Sequence, residues 1–208
     1  MLERAGRMTS ARNGIDSPRI TVAIPCLNEE STVGRVIEDF CRVLPRATIY
    51  VIDNASSDKT ARVAEAAGTI VIREKRVGKG WAIQLIFSKV DADVVVVADG
   101  DNTYPAEAVK DLIQPILAEE ADIVVVNRLV LSLSNAFPRF HRLGNRMIVW
   151  FVNLCFGTRF KDILSGYRAV SRRVLREVPL MTAGFEIETE LTIQRLERRM
   201  IIEEVPIR

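Results

Sequence analysis

The chain has 208 residues, of which 48% are hydrophobic and 27% are charged, and its formal net charge is only +2. This composition is typical of a soluble globular protein that is long enough to bury one sizeable core. The nearly balanced charge excludes a general polyanion binder, so we expect no nucleic-acid partner.

Strand-like and helix-like patterns alternate between residues 19 and 127. The patterns predict strands over 19–24, 48–53, 69–72, 93–98 and 122–127, and helices over 31–43, 59–67, 80–90 and 105–119. Several strands are apolar along their whole length, as in VVVV, which is expected when helices cover both faces of a sheet. The alternation therefore predicts an α/β fold with a mainly parallel sheet and helices on both of its faces.

The regular alternation of strand-like and helix-like patterns ends at residue 127. We predict a loop over 129–138, an amphipathic helix over 139–156, an irregular strand over 162–170, a helix over 184–199 and a last strand over 201–207. Residues 1–18 are polar and contain no apolar core segment, so they are not a signal peptide and are predicted to form a disordered extension. A single folded domain is expected over 19–208.

Charge divides this domain into two parts. Residues 1–127 carry 15 Lys/Arg against 19 Asp/Glu, a balance of −4, whereas residues 128–208 carry 14 against 8, a balance of +6. The basic half could face phosphate or a membrane surface, or it could present a solvated helix face. Its most apolar segment, 147–156, has about half of the roughly 20 residues that a membrane-spanning helix needs.

Cysteine and histidine usage argues against several kinds of chemistry. The three cysteines form no CxxC pair, so a disulfide framework or a zinc site is not expected and a reducing cytoplasm fits best. The single histidine, His141, gives little support to a Ser-His-Asp or Cys-His mechanism.

The segment VADGDNTYPA, residues 97–106, carries the strongest chemical signal. Asp99 and Asp101 follow a buried strand, and Pro105 is expected to open the next helix. Carboxylates at the carboxyl end of a parallel strand face the crevice in which open α/β sheets bind ligands. Such a pair suits Mg²⁺ or Mn²⁺ when a diphosphate completes the coordination, although a solvated turn would have the same sequence.

Two further motifs follow the first two predicted strands. IPCLNEE, residues 24–30, places Asn28 and Glu29 where a ligand would meet a helix N-terminus, although Asn28 and Ser31 could instead cap that helix. VIDNASSDKT, residues 51–60, places Asp53 at the end of the second strand. Ser56 or Ser57 in this motif could cap the next helix.

The motif RVGKGWA, residues 76–82, is rich in glycine but lacks the spacing of a Walker A loop. Its glycines could let the backbone approach a ligand. Lys79 could contact that ligand or remain a solvated turn residue.

In this order and spacing, the four motifs resemble a family 2 glycosyltransferase with the Rossmann-like GT-A fold. The resemblance runs from about residue 20 to the end of the chain. It implies a nucleotide-sugar-binding half over 19–127 and an acceptor-binding half over 128–208. FGTRFKDILSGYRAVSRR, GFEIETELTIQ and IIEEVPI in the second half are similar to the dolichyl-phosphate mannose synthase-like, or polyprenyl-phosphate glycosyltransferase, branch.

The resemblance implies a role for each matching residue. Asp99 and Asp101 match the metal-binding DxD motif, and Glu29 and Asp53 match positions that hold the ribose and base of the nucleotide. The donor-binding set implied by the match is Pro25, Asn28, Glu29, Asp53, Lys79, Asp99, Gly100 and Asp101. The implied catalytic set is Asp101, Arg128, Glu186 and Glu188, with Arg128 contacting phosphate near the acceptor.

The DxxSGxR motif of this branch contains Asp162, Ser165 and Arg168. These residues also have structural interpretations. Asp162 and Arg168 could pair with each other, and Ser165 with Gly166 could form a bulge.

The expected reaction is an inverting, metal-dependent transfer of a sugar from a UDP-, GDP- or dTDP-linked donor to a polyprenyl phosphate. Such an acceptor is already anionic and needs orientation more than a strong base. An acceptor hydroxyl would instead need a base, for which Glu186 and Glu188 are the candidates. A nucleotidyltransferase and a non-catalytic nucleotide-sugar-binding module are the rival interpretations.

The predicted helix Arg139–Phe156 bears on where the protein acts. It combines cationic residues with Trp150, Phe151 and Phe156, which suits a helix lying at the cytoplasmic face of a membrane. A buried core helix would show a similar apolar stripe. In the membrane interpretation, Arg128 would contact the acceptor phosphate, and Arg139, Arg142 or Arg146 could join it.

Overall fold

The computed structural model describes residues 17–127 and 139–207, with side chains from residue 146 onward in the second range. The predicted loop 129–138, Arg128 and residues 1–16 of the predicted extension lie outside the described residues. The strands are β1 (Ile20–Cys26), β2 (Thr48–Asn54), β3 (Ile70–Glu74), β4 (Val94–Val97), β5 (Ile123–Asn127), β6 (Arg168–Ser171) and β7 (Ile202–Pro206). The α-helices are α1 (Val33–Val43), α2 (Thr60–Ala66), α3 (Lys79–Lys89), α4 (Val109–Leu117), α5 (Arg139–Phe156), α6 (Arg172–Glu177) and α7 (Ile187–Glu197).

Within the described residues, all seven strands form one sheet in the order β3-β2-β1-β4-β6-β5-β7. The pairs β1–β2, β1–β4, β2–β3 and β5–β7 are parallel, whereas β6 runs antiparallel to both β4 and β5. The predicted α/β fold with a mainly parallel sheet is confirmed.

The two faces of the sheet bury separate apolar cores. Val94 and Val96 of β4 pack with α1, α2 and α4 on one face, while Val95 and Val97 pack with α3, α6 and α7 on the other. Successive side chains of a strand point to opposite faces, so a strand covered on both sides has to be apolar at every position. The VVVV sequence of β4 meets this requirement.

Most predicted boundaries are shifted by a few residues, and three differences are larger than such a shift. Pro105 is extended, and a 3-10 turn over Ala106–Ala108 precedes α4. The predicted irregular strand is regular only over β6. Helix α6 directly after it was not predicted, because RRVLRE is too short to show helical periodicity.

The topology brings the candidate functional residues together at the carboxyl ends of the parallel strands. Strands β1, β2 and β4 are parallel, so the loops that follow them emerge at their shared carboxyl edge. Strand β6 is antiparallel, and therefore it starts at that same edge, where Arg168 lies opposite Val97. Residues from both halves of the sequence consequently meet there.

None of the helices in the described part of the chain combines the length and the apolar character needed to cross a bilayer.

Candidate active site

The loops after β1 and β2 are tied together by side-chain hydrogen bonds. The Asn28 amide N–H donates to Ser56 Oγ at 3.0 Å, and the Asn28 side-chain oxygen accepts the Ser57 amide N–H at 2.8 Å. Helix α1 begins at Val33, and its N-cap Thr32 makes no side-chain cap bond. Asn28 therefore joins the two loops rather than capping the first helix.

Asp53 lies buried at the end of β2, opposite Cys26 of β1. Its Oδ1 accepts the Ser56 amide N–H at 3.1 Å, which turns the chain after the strand. At the start of α2, Asp58 Oδ1 accepts the amide N–H of Thr60, the first residue of the helix, at 2.9 Å. The alternative role for Ser56 or Ser57 as the cap of α2 is therefore not observed.

Glu29 lies beside the pair of aspartates at the edge of the sheet. The pKa of its carboxyl group is raised to about 7, mainly by burial and in addition by the neighbouring Asp101 and Asp99 carboxylates, while Cys26 and Lys79 oppose the rise. Its Oε2 atom is buried without a hydrogen-bond partner among the described residues. A buried carboxylate oxygen without a partner is costly, so this atom is poised to accept a donor from a ligand.

Pro25 and Cys26 are the last two residues of β1, and both are buried. Burial raises the pKa of the Cys26 thiol far above its ordinary value, and Glu29, Asp53 and Asp99 all add to this effect. The thiol therefore stays neutral and is no nucleophile. The same interactions show that Glu29, Asp53 and Asp99 all lie near this thiol.

Gly100 separates the two aspartates of the DxD motif and is buried. A Cβ at this position would run into the Glu29 carboxylate and would lie 2.5 Å from Cys26 Sγ. Asp101 itself is exposed, and its Oδ1 accepts the Thr103 amide N–H at 2.9 Å. A glycine is thus required for the turn to approach Glu29 this closely, while Asp101 stays exposed.

Lys79 connects the two halves of the sequence. Its Nζ lies 2.7 Å from Asp99 Oδ1 and 2.8 Å from Glu188 Oε1, and all three side chains are largely buried. Burial opposes the charge on Lys79, but the Glu188 and Asp99 carboxylates outweigh it and raise the pKa of the ammonium group. The alternative of a solvated turn lysine is therefore wrong.

The two candidate glutamates of GFEIE have different environments. Glu188 is buried at 8% exposure and paired with Lys79. Glu186 is exposed, and its Oε1 accepts the nearby Gly184 amide N–H at 3.0 Å. Only Glu188 is joined to the aspartate site.

The loop before β6 closes over Asp99 from the second half. A Cβ on Gly166 would collide with Asp99 Oδ2 and lie 2.8 Å from Lys79 Nζ. The buried Arg168 guanidinium donates to the Ser165 carbonyl and fixes this loop. Gly166 therefore serves a close approach to Asp99, rather than a bulge within β6.

Sequence reasoning missed why RVGKGWA contains its glycines. The Gly80 amide N–H donates to the Ala183 carbonyl at 2.9 Å, and a Cβ on Gly80 would collide with the Thr182 carbonyl oxygen. Gly78 has φ +142°, and its Cβ would meet Ala183. The glycines admit the backbone before α7, and no local pattern signals such a contact.

The residues that the metal prediction singled out fit a cation that is shared with a phosphate ligand. No cluster of three or more His, Cys, Asp or Glu side chains arranged to hold a metal occurs in the part of the chain that the structure describes. Asp99 and Asp101 supply two carboxylates on one loop, and a cationic group, Lys79 Nζ, already lies against Asp99. One or two carboxylates, completed by phosphate and water, are the usual protein contribution to a Mg²⁺ site.

The acceptor side is described only in part. Arg128 lies outside the described residues, and the side chains of Arg139 and Arg142 do too, whereas Arg146 is exposed. Helix α5 buries Val149 and Val152 and exposes a stripe of large apolar side chains. This stripe consists of Met147 at 64%, Trp150 at 64%, Phe151 at 60% and Leu154 at 66% exposure.

Comparison with known proteins gives a consistent family. The sequence model of Glycosyl transferase family 2 matches residues 21–178. Glycosyltransferase AglJ of Haloferax volcanii is 35% identical over 188 residues, which are 90% of this chain and 61% of AglJ. Dolichyl-phosphate hexose transferase of the same organism is 30% identical over 189 residues, covering 90% of this chain and 81% of that protein.

Solved structures show the same fold. Glucosyl-3-phosphoglycerate synthase from Mycobacterium tuberculosis, in complex with Mn²⁺, UDP-glucose and phosphoglyceric acid, superposes with a TM-score of 0.77 at 26% sequence identity. The match covers 91% of this chain and 70% of that one. The present chain thus spans about three fifths of AglJ and 70% of the synthase chain.

Proposed function

This chain belongs to glycosyl transferase family 2, and we propose that it transfers a sugar from a nucleotide-sugar donor to a polyprenyl phosphate, with inversion at the anomeric carbon. The observation that carries the proposal is the convergence of Glu29, Asp53, Asp99 and Asp101 at one edge of the sheet. These carboxylates border a single ion-paired lysine that leads to Glu188.

The donor nucleotide is assigned to the loops after β1 and β2. Asp53 and Glu29 offer carboxylate oxygens that accept hydrogen bonds from ribose hydroxyls or a base N–H. Asn28 shapes this surface because it fixes the two loops together, and Pro25 is assigned to it as a buried residue of β1 just before the first loop. The Mn²⁺ and UDP-glucose bound by the structural neighbour support this assignment.

The diphosphate is assigned to Asp99, Gly100, Asp101 and Lys79. A Mg²⁺ or Mn²⁺ ion held there would act as a Lewis acid for the charge that develops on the leaving diphosphate. Asp99 and Asp101 would hold the cation, and the Lys79 ammonium would meet the phosphate oxygens. The Gly166 loop limits the access of water to Asp99.

The acceptor phosphate is assigned to the second half of the chain. Its anionic oxygen attacks the anomeric carbon as the bond to the nucleoside diphosphate breaks, so no strong base is needed. Arg128 is proposed to orient this phosphate. The Glu188 carboxylate is already paired with Lys79, which does not favour it as a free base.

The acceptor class is supported by a relative and by helix α5. The relative that is 30% identical to this chain is named a dolichyl-phosphate hexose transferase, and dolichyl phosphate is a polyprenyl phosphate. The exposed apolar stripe of α5 suits a peripheral contact with the cytoplasmic face of a membrane, where a polyprenyl phosphate would reside.

A transfer assay tests this function. The protein is incubated with Mn²⁺, polyprenyl phosphate in detergent and UDP-, GDP- or dTDP-sugars in turn, and the lipid product is identified by mass. We expect one donor to give a sugar-phosphate lipid. Asp101→Asn should reduce turnover at least ~100-fold, because a ligand charge is lost from a site for a hard cation.

Chelation and the choice of acceptor complete the test. Asp111→Asn, at an exposed position of α4, serves as the matched control and should keep full activity. Full turnover in chelator would remove the metal from the proposal. Transfer to phosphoglycerate or to a sugar hydroxyl, with none to the lipid, would overturn the acceptor assignment. Donor binding without any turnover would favour a non-catalytic module.

A further inference from the structure

Lys79 holds a position that a metal cation would compete for. Its Nζ is 2.7 Å from Asp99 Oδ1, on the first carboxylate of the DxD motif. Lys79 and Asp99 are only 14% and 23% exposed, so solvent screens their charges weakly. A divalent cation at Asp99 would therefore feel strong repulsion from this ammonium group unless the lysine moved or gained another anionic partner.

The lysine has a second partner in the other half of the chain. Glu188 Oε1 lies 2.8 Å from the same Nζ and accepts its hydrogen bond. Glu188 is itself only 8% exposed, and it stands at the start of α7. An ammonium group that leaves Asp99 can consequently stay paired without being released into solvent.

We propose that Lys79 acts as an ion lock. Its ammonium group neutralises Asp99 before the donor binds, and it is displaced from Asp99 only by a metal ion that binds together with a diphosphate. The diphosphate then supplies the anion that replaces Asp99 as the partner of Lys79, while Glu188 retains the other contact. Metal and diphosphate would therefore bind cooperatively. This inference rests on the metal-dependent donor binding proposed above.

The lock also explains the position of Gly166. Its backbone packs against both Asp99 and Lys79, and a Cβ there would displace the pair. The loop before β6 thus holds the ammonium and the carboxylate in contact, although neither residue belongs to that loop. The three parts of the lock come from the loop after β4, from α3 and from α7.

Binding of Mn²⁺ alone, measured from the electron paramagnetic resonance signal of the free ion, tests the lock without any turnover. The variants are Lys79→Met and Lys79→Gln, which remove the charge, and Lys79→Arg, which keeps it. We expect the neutral variants to bind Mn²⁺ roughly tenfold more tightly than wild type, since a close positive charge is gone. Lys79→Arg and the exposed control Lys89→Met should remain close to wild type.

A second arm adds inorganic pyrophosphate, which offers a diphosphate without a base. It should tighten Mn²⁺ binding strongly in wild type and less in the neutral variants. Circular dichroism and thermal melting identify a variant that fails to fold, and the other neutral variant then decides. Because two neutral replacements are made at one position, the test still decides the proposal if one of them does not fold.

The outcomes separate the lock from the proposed function. If the folded neutral variants bind Mn²⁺ no more tightly than wild type, the lock is wrong and the metal site stands. If no protein binds Mn²⁺ even with pyrophosphate, the metal-dependent part of the proposed function fails and the lock fails with it.

Discussion

Glu29 is the residue whose ionisation is most clearly altered in the donor site. Burial raises the pKa of its carboxyl group from 4.5 to about 7. In the metal-free protein, the folded state therefore holds a proton between about pH 4.5 and pH 7 that the unfolded state releases. Folding stability must fall as the pH rises through this window.

Replacement of Glu29 tests this expectation. Glu29→Gln should remove a pH-dependent loss of about 1–2 kcal/mol, a value discounted for the partial exposure of the side chain. Urea unfolding at pH 5 and pH 8, with metal absent, measures the difference. Glu38→Gln, on the exposed face of α1, is the control and should keep the wild-type pH dependence. An unchanged pH dependence in Glu29→Gln would refute the proposed ionisation of Glu29.

Gly166 carries the next prediction at the residue scale. Gly166→Ala would push a methyl group against Asp99 and Lys79, so the carboxylate must shift from its place in the crevice. We expect kcat/KM to fall at least ~10-fold, because small displacements of positioning groups are costly in catalysis. Steady-state kinetics with the identified donor gives the value.

The control for Gly166→Ala is Gly34→Ala. A Cβ on Gly34 meets only a Val63 methyl group, at 3.3 Å, and no side chain of the site. This variant should keep wild-type kcat/KM. Wild-type kinetics in Gly166→Ala would show that Asp99 tolerates displacement.

At the scale of elements, most strands and helices follow from local pattern. Strand β4 is apolar at every position because both faces are covered, and its end locates Asp99 and Asp101. The amphipathic pattern likewise gives helix α5 at its observed bounds. These features depend on residues close together in the sequence, so the sequence alone predicts them.

The contacts that complete the site depend on distant residues. Lys79 and Glu188 are 109 positions apart, and their meeting requires α3 and α7 to cover the same face of the sheet. Gly166 reaches Asp99 because β6 runs antiparallel beside β4. The periodicity of nearby residues predicts neither the position of α7 nor the direction of β6. The sequence alone therefore could not distinguish a buried, ion-paired Lys79 from a solvated one.

For the whole molecule, the sheet ties the two proposed halves into one structure. Strand β6, from the acceptor half, lies between β4 and β5 of the nucleotide half. The division at residue 127 is therefore a proposal about function, and the halves are not separate folding units. The ion lock of Lys79, Asp99 and Glu188 can span both halves because strands of the two halves alternate in the sheet.

The uneven charge of the molecule and the exposed face of α5 suggest a common orientation at a membrane. Residues 128–208 carry 14 Lys/Arg against 8 Asp/Glu, and Met147, Trp150, Phe151 and Leu154 are exposed on α5. Attraction to anionic lipid and burial of apolar side chains would act together.

Co-sedimentation with vesicles that contain anionic lipid tests this orientation. Wild-type protein should bind, and binding should weaken as salt rises from low to physiological strength, because screening shortens the reach of the basic residues. Trp150→Ser should reduce binding at least ~5-fold, since a large interfacial side chain is lost. Leu117→Ser, at 42% exposure on α4, is the matched control and should bind like wild type. Equal binding of Trp150→Ser and wild type would exclude α5 as the membrane contact, and the exposed apolar stripe would then have to serve another surface.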